Sequence, residues 1–359
     1  MGNELEMLRS FFESESGNAH VNAVRAGALA FNILASTLEH YPASEFFSMS
    51  ELGVLYLAVK LQGEIVGEEI ESLQNYACGK LRQVVIAAAG EEAIAAEQIE
   101  EYQTVAKRLE ENHMPVSLLV ALRRGDSDIN DLTSLTLTAD GRCNVSVLVA
   151  QDLSPELLDE HDVASLNEVA SVGTLLAAVR AESVHESIAW VGKFPLKVEK
   201  PGFVTGELLK ETPMVTLNLL NDARLIFYRS HVGISDVYYN DSFTLDEETS
   251  DYCYIENVRT LDKAVRGIRS NLLPYLNSPL RLDAEKGTLS ADMVAVLETE
   301  AGKALEDMER RGELSGYKVK IDAEQNVLAT SELEIVIKNV ALGVMRSVKV
   351  KIGFANKLN

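Results

Sequence analysis

The residues of this sequence most able to do chemistry are histidines that stand beside carboxylates, as in the stretches 160–162 (EHD) and 185–187 (HES). An imidazole next to a carboxylate can act as a general base, because the carboxylate orients the ring and stabilises its charged form. Neither stretch extends into HExxH or places a second histidine one helical turn away. Such neighbours are common by chance, so we interpret both as surface or helix-capping residues.

Motifs that bind cofactors or metals are also missing. The sequence contains no GxGxxG after a predicted strand, no GxxxxGK[ST] and no GxSxG elbow. The acidic run 246–249 (DEET) could bind a divalent cation, but a solvated loop before a helix is the commoner role of such a run. We therefore predict no catalytic residue, no cofactor and no metal site. The alternative is an α/β enzyme or small-ligand-binding protein whose site is assembled from distant residues.

Composition narrows the class of protein. The chain has 359 residues, of which 47% are hydrophobic, and its formal net charge is −22. That charge argues against a nucleic-acid partner, which needs a basic surface, and against an anionic membrane surface. The apolar runs are too short to span a bilayer, the first residues do not form a signal peptide, and the three dispersed cysteines fit a reducing compartment. We expect a soluble, cytoplasmic chain.

The elements that would have to position any site alternate along the first half of the chain. Short apolar runs bounded by turn residues alternate with amphipathic helices, a pattern typical of βαβ units. The pattern predicts an α/β fold with a mixed, largely parallel sheet flanked by helices. Predicted strands cover 52–59, 82–90, 114–122 and 143–152, and predicted helices cover 67–81, 91–112, about 127–136 and 162–183.

The rest of the chain is predicted to form an α+β part. After a less regular stretch with strands at 224–230 and 236–241, the pattern predicts helices at 252–276 and 289–312, followed by strands at 316–322, 331–339 and 347–354. We predict three regions: a helical N-terminal segment (1–44), an α/β domain (45–240) and a C-terminal domain (241–359). The core face of the second helix is predicted to consist of Met293, Val296, Leu297, Ala304, Leu305 and Met308.

The predicted helix 252–276 concentrates basic residues in an acidic chain. At 100° per residue, one face carries Leu261, Ala264, Ile268, Leu272 and Tyr275. Arg259, Lys263 and Arg266 lie on the opposite face, with Arg269 at its edge. Two interpretations stand: a solvated surface, or a face that meets carboxylates of a partner.

The predicted strand 347–354 alternates cleanly. Val348, Val350 and Ile352 point to one side, and Lys349 and Lys351 point to the other. Lysines on an edge strand discourage uncontrolled pairing. The strand either completes the sheet of its own subunit, which is the commoner case, or is donated to a neighbouring subunit.

Taken together, several stretches of the chain resemble contractile tail sheath proteins of myophage tails and phage-tail-like injection systems. The stretches that carry the resemblance are YND (239–241), DYCYIENVRTLDKAVRGIR (251–269), GTLS (287–290), SGYKVKID (315–322) and VKIGF (350–354). The resemblance extends over roughly 45–359. It departs at the N-terminus, where sheath proteins begin with an extended arm and this sequence reads as helical.

The resemblance implies a structural protein without catalysis. Copies would form stacked hexameric rings around an inner tube protein, between a baseplate and a terminal cap protein, and contraction would drive the tube through a target envelope. It also implies that the basic helix face and the strand 347–354 lie at subunit or tube contacts. The location would be the cytoplasm of the producing bacterium or the assembled particle.

Overall fold

A computed structural model of the chain describes residues 22–26, 45–46, 55–59, 67–87, 96–122, 128–154, 169–284, 286–325 and 327–350. The chain divides into two compact units, Met1–Arg266 and Gly267–Asn359. Among the described residues, none of the helices has both the length and the apolar character needed to cross a bilayer.

The first unit contains most of the regular structure. Its strands are β1 (Asn22–Ala26), β2 (Leu55–Val59), β3 (Gln83–Ile86), β4 (Ser117–Ala121), β5 (Val145–Leu148), β6 (Ala150–Asp152), β7 (Pro201–Phe203), β8 (Tyr228–Ser230) and β9 (Val237–Tyr239). Its helices are α1 (Gly67–Tyr76), α2 (Ala96–Glu111), α3 (Ile129–Thr133), α4 (Val172–Ala181) and α5 (Met214–Asp222).

A parallel sheet forms the centre of this unit, in the strand order β3-β4-β5. The side chains of β4 and β5 are fully buried because α2 and α4 pack on the sheet, and α1 packs in turn against α2. Buried Gln103 of α2 ties the helix to the start of β5, since its amide donates to Asn144 Oδ1 at 2.9 Å and accepts from Asn144 N at 3.0 Å. The predicted mixed α/β fold with a parallel sheet flanked by helices is confirmed.

The N-terminal segment differs from its prediction. Residues 22–26 form β1, which pairs antiparallel with β2, so the helical prediction for 1–44 is wrong at these positions. Helix propensity is a weak local preference, and pairing with a distant strand overrides it here. The other residues of the predicted segment lie outside the described ones.

The second unit is built around two helices and a two-stranded sheet. Helix α6 (Ile255–Leu272) begins in the first unit and ends in the second, which also holds α7 (Ala291–Arg310), β10 (Gly316–Ile321), α8 (Val327–Thr330) and β11 (Ile335–Val340). The predicted boundary at 240/241 precedes α6, and it stays a prediction.

Close packing joins the end of α6 to α7. A Cβ atom at Gly267 would lie 2.8 Å from Ala304 Cβ, so only glycine allows the helices to approach this closely. Asn271 Nδ2 also donates to the carbonyl oxygen of Glu300 at 3.2 Å. On its other side α7 packs against β10 and β11, around the buried residues Leu297 and Ile321.

The predicted core of α7 is largely present. Ser290 caps the helix, and Leu297, Leu305 and Met308 are buried, while Met293 and Ala304 are half-buried. Val296 is 43% exposed, so its assignment to the core is wrong. By the helical period its Cα lies at the margin of the apolar stripe that carries Leu297, Leu305 and Met308.

Replacing Leu305 with alanine should lower the free energy of unfolding by about 2–5 kcal/mol, because the side chain is completely buried and its removal leaves a cavity. The measurement is denaturant unfolding followed by circular dichroism. Val296→Ala is the matched control in the same helix, and a change within about 0.5 kcal/mol is expected there. Equal effects of the two substitutions would contradict the assigned packing of α7.

Candidate subunit interfaces

The basic residues of α6 are only partly available to a partner. Arg259 is 7% exposed, and its Nη2 donates to the carbonyl oxygen of Glu182 at 3.3 Å. Arg266 Nη2 donates to the carbonyl oxygen of Pro115 at 2.8 Å. The predicted solvent face is therefore wrong for Arg259, which is buried, whereas Arg266 is half-buried and its role at a contact stays a prediction. Lys263 and Arg269 are half-buried, and their role at a contact stays a prediction.

Arg259 belongs to a buried polar group between α6 and the residue that follows α4. Its Nη1 lies 3.8 Å from Glu182 Oε2, too far for a hydrogen bond. Burial raises the pKa of Glu182 to about 9, and attraction to Arg259 only partly opposes this rise. Buried Glu256, which accepts a hydrogen bond from Ser242 Oγ, adds to the rise by repulsion. Glu182 is thus held as a neutral acid, and the group fixes α6 internally.

The residues first considered for chemistry take structural roles where they are described. Glu186 forms an ion pair with Lys193 and accepts from Ser183 N at 3.0 Å, which closes a turn. Asp246 accepts from Gly141 N at 2.8 Å and from Ser250 Oγ at 2.6 Å, so it organises its loop. No group of three or more His, Cys, Asp or Glu within the described ranges is arranged to hold a metal ion. His161 lies outside the described residues.

The segment 341–350, called the tail here, is half-buried at Leu342 and Val344 and exposed from Met345 onward. Its residues belong to no helix or strand, and Met345, Val348 and Val350 are 79%, 67% and 79% exposed. The hydroxyl of Ser315 donates to the carbonyl oxygen of Ala341 at 3.0 Å, where the tail begins. Over 347–350 the predicted strand thus does not pair within its own subunit. Lys349 is exposed, whereas Lys351 and Ile352 lie outside the described residues.

The β10–β11 sheet carries a basic outer surface that lies outside the predicted basic helix. Lys318, Lys320 and Lys338 are exposed on the side away from α7, and this group is called the lysine face. Lys318 and Lys338 lie directly opposite each other in the antiparallel register. Like charges in that position destabilise a strand pair. The alternation in YKVKI and IVIKN was a sequence signal for this face.

The same sheet offers edges to another strand. It consists of β10 and β11 alone, so within the described residues each strand pairs along one side only. Val336 and Val340 are 47% and 59% exposed on its outer surface. An open edge beside exposed apolar side chains is the geometry that accepts an added strand.

The fold is that of solved sheath structures. A chain of the anti-feeding prophage helical sheath in the contracted state has a TM-score of 0.63 and 16% identity, with 93% of this chain and 88% of that chain covered. A chain of the contracted PVC sheath complex, from an extracellular contractile injection system, has a TM-score of 0.63 and 13% identity, with 95% and 89% covered. A chain of the anti-feeding prophage baseplate, symmetrised six-fold, has a TM-score of 0.63, 15% identity, and 93% and 88% coverage.

Sequence families give a second comparison. The family model described as DUF2586, N-terminal domain, matches residues 59–243, and that described as DUF2586, C-terminal domain, matches residues 251–359. No curated protein sequence is significantly similar to the chain.

The neutral state of Glu182 gives a stability prediction. Between about pH 4.5 and pH 9 the folded chain keeps a proton that the unfolded chain releases, so this group's contribution to stability falls as the pH rises through that window. Glu182→Gln should remove this part of the pH dependence, so the variant should match the parent near pH 5 and become more stable than the parent as the pH rises toward 9. The measurement is the free energy of unfolding of both proteins from pH 5 to pH 9. A loss of about 3–5 kcal/mol at pH 7 would instead indicate a charged buried pair.

Proposed function

We propose that this chain, which belongs to the DUF2586 family, is a structural subunit of a contractile sheath. Copies stack as hexameric rings around an inner tube protein, and rearrangement of the stack drives the tube forward. The fold supports this proposal, and so does the exposed apolar tail, which is the observation that carries it. No catalytic role is proposed.

The tail is proposed to link subunits by adding a strand to a neighbour's β10–β11 sheet. Within the described residues the recipient sheet has open edges, and the donor segment exposes Val348 by 67% and Val350 by 79%. Each backbone hydrogen bond in the added strand contributes about 0.5–1.5 kcal/mol net, so several of them form a durable connection. Because the connection is a single extended segment, neighbouring subunits can rotate without separating.

The lysine face is proposed to contact an acidic surface on the inner tube. The face lies on a chain of net charge −22, so its cations are a local exception to the charge of the subunit. Repulsion between Lys318 and Lys338 is relieved when a carboxylate lies between them. This contact takes the role that the sequence assigned to Arg259 and Arg266, which bond within their own subunit.

The remaining partners follow from the same proposal. Rings at the two ends of the sheath would contact baseplate and terminal cap proteins, and the subunit would reside in the assembled particle after its synthesis in the cytoplasm. The likeness to a chain from a baseplate assembly supports the first of these contacts.

Deleting residues 347–359 tests the tail. The truncated subunit should keep its circular dichroism spectrum and melting temperature, because the described tail residues are exposed, yet form no tubes under negative-stain microscopy. A sharper pair is Val348→Asp with Val350→Asp against Ser347→Asp with Lys349→Asp, which place two aspartates on opposite sides of the strand, the second pair changing the net charge by one unit more. The first pair should abolish tubes and the second should shorten them at most. Normal tubes from the truncated chain, or its misfolding, would contradict strand donation.

Replacing Lys338 with glutamate tests the lysine face. The new carboxylate faces Lys318, so the isolated subunit should become more stable by about 0.2–1 kcal/mol. Recovery of sheath around purified inner tube should fall, because a complementary cation is lost. The measurements are thermal unfolding and co-sedimentation with the tube. Arg311→Glu, at an exposed position after α7, is the control. Unchanged co-sedimentation would place the tube contact elsewhere.

A further inference from the structure

A groove in the first unit combines an apolar floor with a basic rim. It has a volume of about 540 Å³ and lies between α5, the residues around Lys200, and the turn that follows β8. Leu208, Leu217 and Phe227 are among its apolar lining residues, called its floor here. Met214 and Val215 of α5 are 63% and 70% exposed, and Val232 is fully exposed. Helix α5 thus exposes apolar side chains to solvent at the edge of the groove.

The rim of the groove is positively charged. Lys200, Lys210, Arg229 and His231 line it, with Glu199 as the acidic residue among the lining side chains. Within the described part of the chain, no carboxylate lies within salt-bridge distance of Lys200, Lys210 or Arg229. Partial burial lowers the pKa of His231, and the nearby Arg229 lowers it further. The positive potential of the rim is therefore left for a partner.

The chemistry of the groove selects an acidic protein segment with an apolar anchor. A nucleic acid would meet carboxylates over most of a surface whose net charge is −22, and the floor is mainly aliphatic, which gives bases little to stack on. Acidic side chains on an extended segment can reach the rim while an apolar side chain fills the depression.

The chain itself presents such a segment in the loop 247–252, called the acidic loop here. Glu247, Glu248 and Asp251 are exposed, and Tyr252 is 42% exposed. The loop has a fixed shape, because Thr244 Oγ1 donates to the carbonyl oxygen of Tyr252 at 2.9 Å and Tyr252 N donates to Ser250 Oγ at 3.1 Å. Three carboxylates and one aromatic ring match the three lysine and arginine side chains and the apolar floor of the groove.

The groove and the acidic loop lie at opposite ends of strand β5. Leu245, just before the loop, donates its N–H to the carbonyl oxygen of Val145 at the start of β5. Ile226 forms a parallel bridge with Leu148, the last residue of β5. Because the two segments run in the same direction, Arg229, three residues after Ile226, lies beyond that end of β5. At about 3.3 Å per residue the two levels are roughly 20 Å apart. The loop therefore cannot fill the groove of its own subunit.

We propose that the acidic loop of one copy docks into the basic groove of a second copy. The two surfaces differ, so the contact is heterologous and repeats from copy to copy as a ring or a helical array. This contact rests on the proposed function only because it requires that copies of the chain assemble. It involves neither the tail nor the lysine face. It also offsets part of the repulsion between acidic subunits.

Zero-length carbodiimide cross-linking tests the contact directly, since the reagent joins a lysine to a carboxylate only when they touch. Full-length protein labelled with ¹⁵N is mixed with unlabelled protein, treated and digested, and hybrid peptides report links between copies. Lys200 or Lys210 should be joined to Glu247, Glu248 or Asp251 in hybrid peptides. Absence of these links at concentrations where copies associate would overturn the proposal.

Charge reversal shows whether the links depend on complementarity. Lys200→Glu with Arg229→Glu, and separately Glu247→Lys with Glu248→Lys, should each lower the Lys210–Asp251 link by about tenfold, the effect of roughly 1.4 kcal/mol. All four substitutions in one chain should restore it. Lys80→Glu with Lys107→Glu changes the net charge equally at exposed positions outside the groove and should leave the link intact.

The readouts separate this contact from the sheath proposal. If the groove–loop links form but no tubes are seen, the docking contact is supported and the sheath function is contradicted. If tubes form without these links, the sheath function is supported and the docking contact is contradicted. A loss of the link as large in the control as in the groove variant would contradict docking through the groove.

Discussion

The open edges of the β10–β11 sheet are the constraint on which the proposed assembly depends. Each strand has a row of backbone N–H and C=O groups on its outer side, and within the described residues no other strand meets them. Two strands alone are marginally stable in water, and here packing of Ile321 and its neighbours against α7 supplies the missing stability. The sheet is therefore formed before assembly, yet incomplete. The exposed tail, with its alternating apolar residues, is a segment that can pair with such an open edge.

The basic side chains of α6 and of the β10–β11 sheet have different roles. Arg259 and Arg266 of α6 reach inward to the backbone carbonyl oxygens of Glu182 and Pro115, which suits a weakly hydrated guanidinium with several donors. The lysines of β10 and β11 point outward, which suits a strongly hydrated ammonium. The inward set fixes α6 in its place. The outward set costs a little stability in the isolated subunit, because Lys318 faces Lys338, and the proposed tube contact offsets that cost.

Net charge sets a further condition on any array of this chain. Copies that each carry −22 repel one another, and a dense array has to place its few basic surfaces where carboxylates of another chain can reach them. The lysine face and the groove near Arg229 are two such surfaces, and they differ in kind. The first is a flat set of like charges, suited to a long-range electrostatic contact. The second surrounds an apolar depression, so it can select a segment by shape as well as by charge.

The sequence determined much of the framework by itself. Continuous apolar runs identified β3, β4 and β5, and helical spacing identified α7 with Leu297, Leu305 and Met308 as its core. These features are local, because one segment's own period already shows which side is apolar. The same local signal, the alternation of lysine and apolar residues, was available for β10 and β11.

The tertiary structure alone decided which surfaces are free. A helical period gives the direction in which Arg259 points, but whether that direction is solvent depends on which distant segments cover it. Pairing placed residues 22–26 in a strand against their helical pattern, and α5 was missed because it is short and turns apolar residues outward. The groove brings Lys200 and Arg229 together across the fold. Proximity between distant residues follows from the packing of the whole chain, and no period within one segment encodes it.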